Sequence, residues 1–427
     1  MSGNFHVEAR SGKARIGSIK CSNNCEQGFQ GRKVLDTPCA LVLTRKGSLP
    51  NVTNELFPLT SREALVQISL LDFAVFNAND ALGGAEVISQ YGKGVHGFCS
   101  LKGRSTILSV RAAGSQEFLF DVGARKDLIV GELRGQTQRV KVTVDDLLAL
   151  QQAMSCEFFE HLSVAAPPNA SKKQHESSVW RSLGFLDETI SRRSSCKGQL
   201  LGVVQGGFEA EYRSLSAKKT AERAATGAIG GFMISGFGFG ETPDQWETAV
   251  AAAVVELPDE LPRILTGDGS PERVLRAIEL GIDVFDCSYP FDVAEFGIAL
   301  ALESGKVLPG SAPFAQQPFS RCAYDLCGSG QHVNLNDGEH ELSRQQIIDK
   351  CTCYACIKHT RGYLHHLLRV QEMLAETLIC IHNLFNYNSF LKAARESIRA
   401  GNFDEFRSNF IRKRRQDAVS QGSSYPQ

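Results

Sequence analysis

The chain has 427 residues, 42% of them hydrophobic and 22% charged, and a formal net charge of −1. That length is enough for a large core, arranged as one big barrel with an appendage or as roughly two to three domains. A charge so close to zero excludes a globally basic nucleic-acid binder, so any contact with nucleic acid must be a local patch. No apolar run reaches the length of a membrane span. The 13 cysteines are odd in number and lack a regular disulfide spacing. The N-terminus Met1-Ser2-Gly3-Asn4 leads straight into a strand-like run with no signal peptide, and together these features predict a reducing compartment.

Residues 5–20 alternate and then turn at Gly12, which predicts an opening hairpin. Ala40 to Thr44 predicts a first buried strand after Pro38, and Leu70, Leu71, Phe73 and Val75 form another apolar segment. Ser105 to Val110 and Phe118 to Val122 are strand-like. Val144 to Met154 reads as a helix capped by Thr143. Residues 164–177 are polar enough to predict a loop or mobile insertion, with helical spacing resuming over 179–193. From Leu200 the pattern sharpens. Strands are predicted at Leu200–Val204, around Ala228–Phe232, at Arg263–Gly267 and at Val284–Asp286. Helices are predicted between them, over about 211–222, about 243–255 and from Ser270-Pro271-Glu272 onward. Such alternation with short connections is the pattern of a parallel α/β fold. Strand ends marked by Gly, Gln or Asp suit the working face of an eight-stranded barrel, with a doubly wound open sheet as the alternative. The run Gly236-Phe237-Gly238-Phe239-Gly240 has neither a P-loop lysine nor a dinucleotide fingerprint beside it. Residues 311–341 are loop-like, and Phe403, Phe406 and Phe410 share one face of a last helix. The basic run Arg412 to Arg415 is either a solvated helix end or a phosphate contact.

Chemistry concentrates in Cys351-Thr352-Cys353-Tyr354-Ala355-Cys356. Three thiols crowded into six residues would oxidise or capture metal, whereas a lone cysteine would be read as core. Zinc takes four soft or borderline donors at tetrahedral geometry, and Cys3His supplies them. Leu374, Leu378, Ile381, His382 and Phe385 recur at helical spacing, which puts His382 on an apolar helix face able to pack back on the thiol loop. His359, His365 and His366 compete with it as fourth ligand. A closed four-ligand set implies one structural Zn2+ ion with no open position for substrate.

Taken in order, these segments resemble the tRNA-guanine transglycosylase family. The resemblance rests on Gly12 to Gly17, Gly202 to Gly207, Ala228 to Gly231, Leu265-Thr266-Gly267 with Ser270-Pro271-Glu272, and Gly281 to Cys287. The zinc segment, with Tyr363 to His366 and His382-Asn383-Leu384, matches best. The resemblance implies an α/β fold, a (β/α)8 TIM barrel with a C-terminal zinc-binding subdomain whose fourth ligand is His382. The expected division is 1–310 for the barrel with its hairpin, 311–415 for the zinc subdomain and closing helices, and 416–427 for a polar tail. It also implies exchange of the wobble guanine 34 for a 7-deazaguanine base, queuine, in tRNAs with GUN anticodons. The family's aspartate nucleophile falls on Asp286, where a carboxylate suits an oxocarbenium-like sugar centre.

The departures from the family pattern carry as much information. Where active members have Asp-Ser-Gly-Gly-Phe-Gln, this chain reads Leu108 to Gly114 with no carboxylate. For the family's second aspartate the comparable stretch is Ser155 to Phe159, with Glu157 as the only substitute. In place of the arginines that hold tRNA stands Pro290-Phe291-Asp292-Val293-Ala294-Glu295, whose acids repel phosphate. This pattern is similar to that of the family's non-catalytic subunits, and makes Asp286 a relic with no catalytic residue left to this chain. The resemblance then implies a heterodimer with a catalytic subunit, a contribution to tRNA binding, and room for a homodimer. It also implies a cytoplasmic protein, peripheral on the mitochondrial outer membrane, with no integral segment. The rival reading is a diverged active transglycosylase that uses Asp286 as nucleophile and Glu157 in base recognition.

Overall fold

The structure is a computed structural model that describes residues 5–21, 33–59, 64–74, 83–110, 129–132, 139–167, 169–267, 269–302 and 332–420. The chain forms two compact units, Met1–Ser48 with Glu63–Asp286, and Leu49–Arg62 with Cys287–Gln427.

The first unit opens with the expected hairpin. Strand β1 (Phe5–Ser11) pairs antiparallel with β2 (Ala14–Cys21), and β3 (Lys33–Thr37) adds a third strand to the sheet. Eight parallel strands follow: β4 (Cys39–Leu43), β5 (Leu65–Ser69), β6 (Ser105–Ser109), β9 (Phe158–Glu160), β10 (Gln199–Val204), β11 (Gly231–Ile234), β12 (Arg263–Leu265) and β13 (Val284–Asp286). A short antiparallel ribbon, β7 (Ile129–Glu132) with β8 (Arg139–Val142), lies between β6 and β9 in sequence. The ladder closes because β13 pairs with β4, Asp286 opposite Leu41, so the fold is a closed barrel and the open sheet is excluded.

The connecting helices are α1 (Leu70–Ala74), α2 (Gly83–Tyr91), α3 (Gly94–Phe98), α4 (Val144–Met154), α5 (Lys172–Arg192), α6 (Ala210–Ala224), α7 (Pro243–Val255) and α8 (Pro271–Leu280). Their starts are written locally. Thr143, Ser171 and Thr242 each cap a helix through a reciprocal bond with the residue three positions on. α7 and α8 begin on proline, whose missing N–H costs nothing in a first turn.

One segment that the sequence left unassigned is settled, and one expectation changes. The apolar segment from Leu70 is helix α1, and the barrel strand is the preceding Leu65–Ser69; Val75 lies outside the described residues. The polar stretch 164–177 is not a free loop: Val164, Ala165 and Ala166 are buried, and α5 already begins at Lys172. The Phe118–Val122 segment lies outside the described residues.

The N-terminal sheet plugs one end of the barrel. Phe5, Ile19, Cys21 and Leu35 join a core cluster with Cys39, Leu65 and Phe158, the first residues of β4, β5 and β9. Arg15 locks it there. Its guanidinium, fully buried, donates to Asp283 Oδ1 at 2.8 Å and Oδ2 at 2.6 Å, and to the Asp259 and Leu261 carbonyls. Two buried charges are tolerated because nearly every donor and acceptor is used.

The second unit contains α9 (Tyr289–Ala294), the antiparallel pair β14 (Ile298–Leu300) and β15 (His332–Asn334), and helices α10 (Tyr354–Lys358), α11 (Arg361–Arg369), α12 (Met373–Arg399) and α13 (Phe403–Ser420). Phe403, Phe406 and Phe410 do share a face of α13, and the ring of Phe390 of α12 packs at a tilt against Phe406 and Phe410. Among the described residues no helix is long and apolar enough to cross a membrane. In the basic run, Arg412 is exposed on α13, and the side chains of 413–415 lie outside the described residues.

Candidate metal centre and barrel mouth

Cys351, Cys353, Cys356 and His382 are all buried, and their ligand atoms lie within 4.8 Å of one another. Cys353 caps α10, so Cys356 turns back toward it and its N–H donates to the Cys353 Sγ at 3.3 Å. Cys351 precedes that turn. His382 descends from the buried face of α12. Its Nδ1 stands 3.3 Å from the Sγ of Cys353, 3.4 Å from that of Cys356 and 3.9 Å from that of Cys351. Zn–S bonds of about 2.3 Å and Zn–N bonds of about 2.0–2.1 Å at tetrahedral angles put sulfur and nitrogen about 3.6 Å apart. The observed separations bracket that value.

The ring is also held in the tautomer a metal needs. Its Nε2–H donates to the Leu300 carbonyl at 2.9 Å, leaving the Nδ1 lone pair toward the thiols. Asn386, one turn later on α12, points its amide at the Cys351 sulfur at 3.8 Å. Hydrogen bonds among the three sulfurs push the Cys351 thiol down and the Cys353 thiol up. The four residues are a site for one structural zinc ion. The competing histidines are otherwise engaged: His359 stacks on Tyr363, His365 Nδ1 meets the Leu335 carbonyl at 2.9 Å, and His366 is exposed.

Asp286 sits where β13 ends, at the C-terminal face of the barrel, where barrel enzymes place their chemistry. Its residue exposure is 0%, and Oδ2 accepts the Gly267 N–H at 3.1 Å. Gly267 is itself fixed by the glycine-rich run. A Cβ on Gly238 would stand 2.6 Å from the Gly267 carbonyl oxygen, and one on Gly267 would stand 2.6 Å from that of Phe237. Glu241 shapes the run by accepting the N–H groups of Gly238 and Phe239, and pairs with Arg273 at 2.8 Å. The run is thus a buttress for the loop behind Asp286.

Glu157 is not at this face. It precedes β9, and its Oε2 accepts the N–H and hydroxyl of Thr106 near the start of β6, with His96 3.3 Å from Oε1. That is the opposite end of the barrel, so a role for Glu157 beside Asp286 is ruled out by strand direction.

The acid at the mouth end of β9 is Glu160, buried, with Oε1 bonded to the Val110 N–H. Beyond it, His161 Nε2 accepts the Val203 N–H at 2.9 Å while Nδ1 donates to the Leu162 carbonyl at 2.7 Å. Burial lowers its pKa to about 4, so the ring is neutral. Arg213 reaches under the same face. It donates to the carbonyls of Gly207, Val204 and Ser235 at 2.7, 2.9 and 2.6 Å and lies over the Phe237 ring. Burial lowers its pKa to about 9, which leaves it cationic at neutral pH. Sequence reading missed Glu160, His161 and Arg213. Only the strand-end position of Glu160 offered a signal, and the strand itself is three residues long. Gln205, fully buried, donates to Ser163 Oγ at 3.0 Å; its Oε1 and the Ser109 hydroxyl have no partner among the described residues. Chemically the mouth offers small polar groups and two carboxylates already bonded to backbone amides.

Comparison with known proteins agrees with this architecture. Residues 10–416 match the family described as Queuine tRNA-ribosyltransferase. The chain is 28% identical to the queuine tRNA-ribosyltransferase accessory subunit 2 of Danio rerio, over 91% of this chain and 95% of the other. It is 29% identical to the Homo sapiens protein of the same name, over 90% and 94%. It is 27% identical to the queuine tRNA-ribosyltransferase of Thermus thermophilus, over 96% and 94%. Barrel, zinc site and this match over nearly the whole chain together make the protein a member of the queuine tRNA-ribosyltransferase family.

Proposed function

We propose that the chain is the non-catalytic subunit of a heterodimeric queuine tRNA-ribosyltransferase, supporting exchange of guanine 34 for queuine in tRNAs with GUN anticodons. The identities do not decide this, because relatives named as accessory subunits and one named as the transferase itself match almost equally. What carries the reading is Asp286. A nucleophile must reach the ribose, and here the carboxylate is fully buried and held by the Gly267 N–H. The strand that should bring an acid/base partner, β6, ends in Ser109, and Val110 follows it. Glu160, the acid at the mouth end of β9, is bonded to the Val110 amide.

Partnering has its own support. Tyr354, His359 and Tyr363 form an aromatic ladder beside the zinc ligands, with His359 stacked on Tyr363 at 5.2 Å. Tyr354 and Tyr363 are each 40% exposed and Ile357 is 59% exposed. Exposed aromatics of this kind are the usual anchors of protein interfaces. In this reading the zinc stiffens the surface that the catalytic subunit meets, and tRNA binds the assembled pair. A homodimer through the same surface competes with the heterodimer. The protein is then cytoplasmic, and its attachment to the mitochondrial outer surface is peripheral; fractionation with and without high salt tests that part.

The deciding experiment is exchange of labelled guanine into tRNA. The expected result is no exchange by this chain alone, exchange with the catalytic subunit added, and no change in the mixture on Asp286→Asn. Exchange by the lone chain that Asp286→Asn abolishes would establish the active transglycosylase instead.

A further inference from the structure

A cavity of about 840 Å³ opens at the end of the barrel away from Asp286. Its floor is Gln199 and Leu200 at the start of β10 and Gly230 just before β11, and its walls are the C-terminal ends of α6 and α7. Ordinary small-molecule sites span about 300–1,000 Å³. Small residues create the space: Ala221, Ala224, Ala225, Gly227 and Ala228 line it in succession. The apolar surface comes from Leu200, Ile229 and Leu257, all buried.

The charges on its walls are separated. Arg193, just past α5, lines one side. It is half-buried, and among the described residues its guanidinium has no hydrogen bond or ion pair. Glu256, the C-cap of α7, and Glu260 line another part. Helix α6 packs against both α5 and α7, so the arginine and the carboxylates come from opposite sides of it. The carbonyl ends of α6 and α7 add negative partial charge on the carboxylate side. A cation left without an anion inside a partly apolar cavity is a poor structural element on its own. It is a good recognition element for a carboxylate, which a guanidinium binds through two parallel bonds.

We propose that this cavity binds a small dipolar molecule with an apolar body, its anionic group at Arg193 and its cationic group at Glu256 and Glu260. Aromatic dipeptides are the simplest molecules with that layout. The site stands apart from the barrel mouth and does not depend on how the mouth is used.

The test is calorimetric titration of the full-length chain with the dipeptide of two phenylalanines, its N-acetyl form and its C-terminal amide. The free dipeptide should bind saturably, and either blocked form should bind about fivefold more weakly, the size of a partly exposed ion pair. Arg193→Gln should erase the preference for the free carboxylate over the amide. Glu260→Gln should erase the preference for the free amine over the acetylated form. Ala225→Trp, at an exposed lining position in ordinary helical backbone, should abolish binding of all three without lowering the melting temperature. Should that variant fold poorly, the Arg193 and Glu260 preferences still decide. No saturable binding up to about 10 mM, equal binding of the three forms, or full binding by folded Ala225→Trp would overturn the proposal.

Discussion

His161 shows how one side chain can substitute for a piece of sheet. β9 stops at Glu160, yet the next stretch of β10 still needs an acceptor, and the imidazole supplies it to the Val203 N–H. Only the neutral ring can accept there, and burial lowers its pKa from 6.5 to about 4. Above pH 6.5 the ring is neutral whether folded or unfolded, and the contribution is fully present. As pH falls from about 6.5 to about 4, the unfolded chain takes up a proton that the folded chain refuses. Stability is therefore lost over that window, by about 3 kcal/mol from this residue at its lower end. Urea midpoints of the wild type and His161→Gln between pH 7.5 and 4.5 should differ in slope by about one proton, the variant being flatter. Parallel slopes would mean that His161 is not the group refusing the proton. Two aspartates at the two ends of β13 serve opposite ends of the barrel: Asp283, just before the strand, holds Arg15 at the plugged end, and Asp286, its last residue, lies at the mouth. Asp283→Ala leaves a buried guanidinium short of its main partner and should cost about 3–5 kcal/mol in denaturant unfolding, far more than Asp259→Ala, whose side chain is half-exposed.

Elements with a full local signature were legible in the sequence, and those without one were not. α7 and α8 carry their cap, their proline and their periodicity within a few residues, and their starts were read correctly. β5 was missed because Leu65–Ser69 runs directly into Leu70-Leu71, and an apolar run that short cannot be divided into strand and helix by its period. The start of α5 was missed for the opposite reason. Its first turns are polar, and the capping pair Ser171 and Gln174 outweighs the composition. The glycine-rich run carried no nucleotide fingerprint in the sequence, and its role as a buttress needs the Gly267 loop, which no local pattern reveals. That role separates two substitutions. Gly240→Ala meets no atom within 4 Å and bears only the strain of its φ of +93°, about 1 kcal/mol. Gly238→Ala adds a 2.6 Å approach to the Gly267 carbonyl oxygen and should cost about 2–3 kcal/mol or more. Equal shifts of the unfolding midpoint would show that the two loops are not in firm contact.

At the scale of the whole chain, the zinc site joins segments that are remote in sequence. Cys351 to Cys356 was readable from spacing; helical period put His382 on an apolar face, and the family resemblance set it above the rival histidines. The Leu300 carbonyl that sets the tautomer of His382 was not readable, since it lies 82 residues upstream with no motif around it. Through that bond and the Asn383 contacts to Leu300, Ile298 and Pro290, α12 is tied to β14 and α9 as well as to the metal loop. Structural zinc binds with roughly 10–16 kcal/mol of apparent free energy, whereas whole domains have a net stability of about 5–15 kcal/mol. Loss of the ion therefore outweighs what holds the second unit together. The barrel closes through its own parallel ladder and its own Arg15–Asp283 lock, and holds no zinc ligand. The expected result of chelation, or of Cys353→Ala, is loss of the bound zinc and of amide-exchange protection in α10 and α12, with β4, β10 and β13 still protected. Hydrogen exchange read by mass spectrometry, beside metal analysis, measures both. Equal loss in the barrel strands would show that the barrel depends on the zinc unit. Unchanged protection in α12 would show that packing alone carries this helix, and that the ion serves the surface around Tyr354 and Tyr363 without holding up the fold.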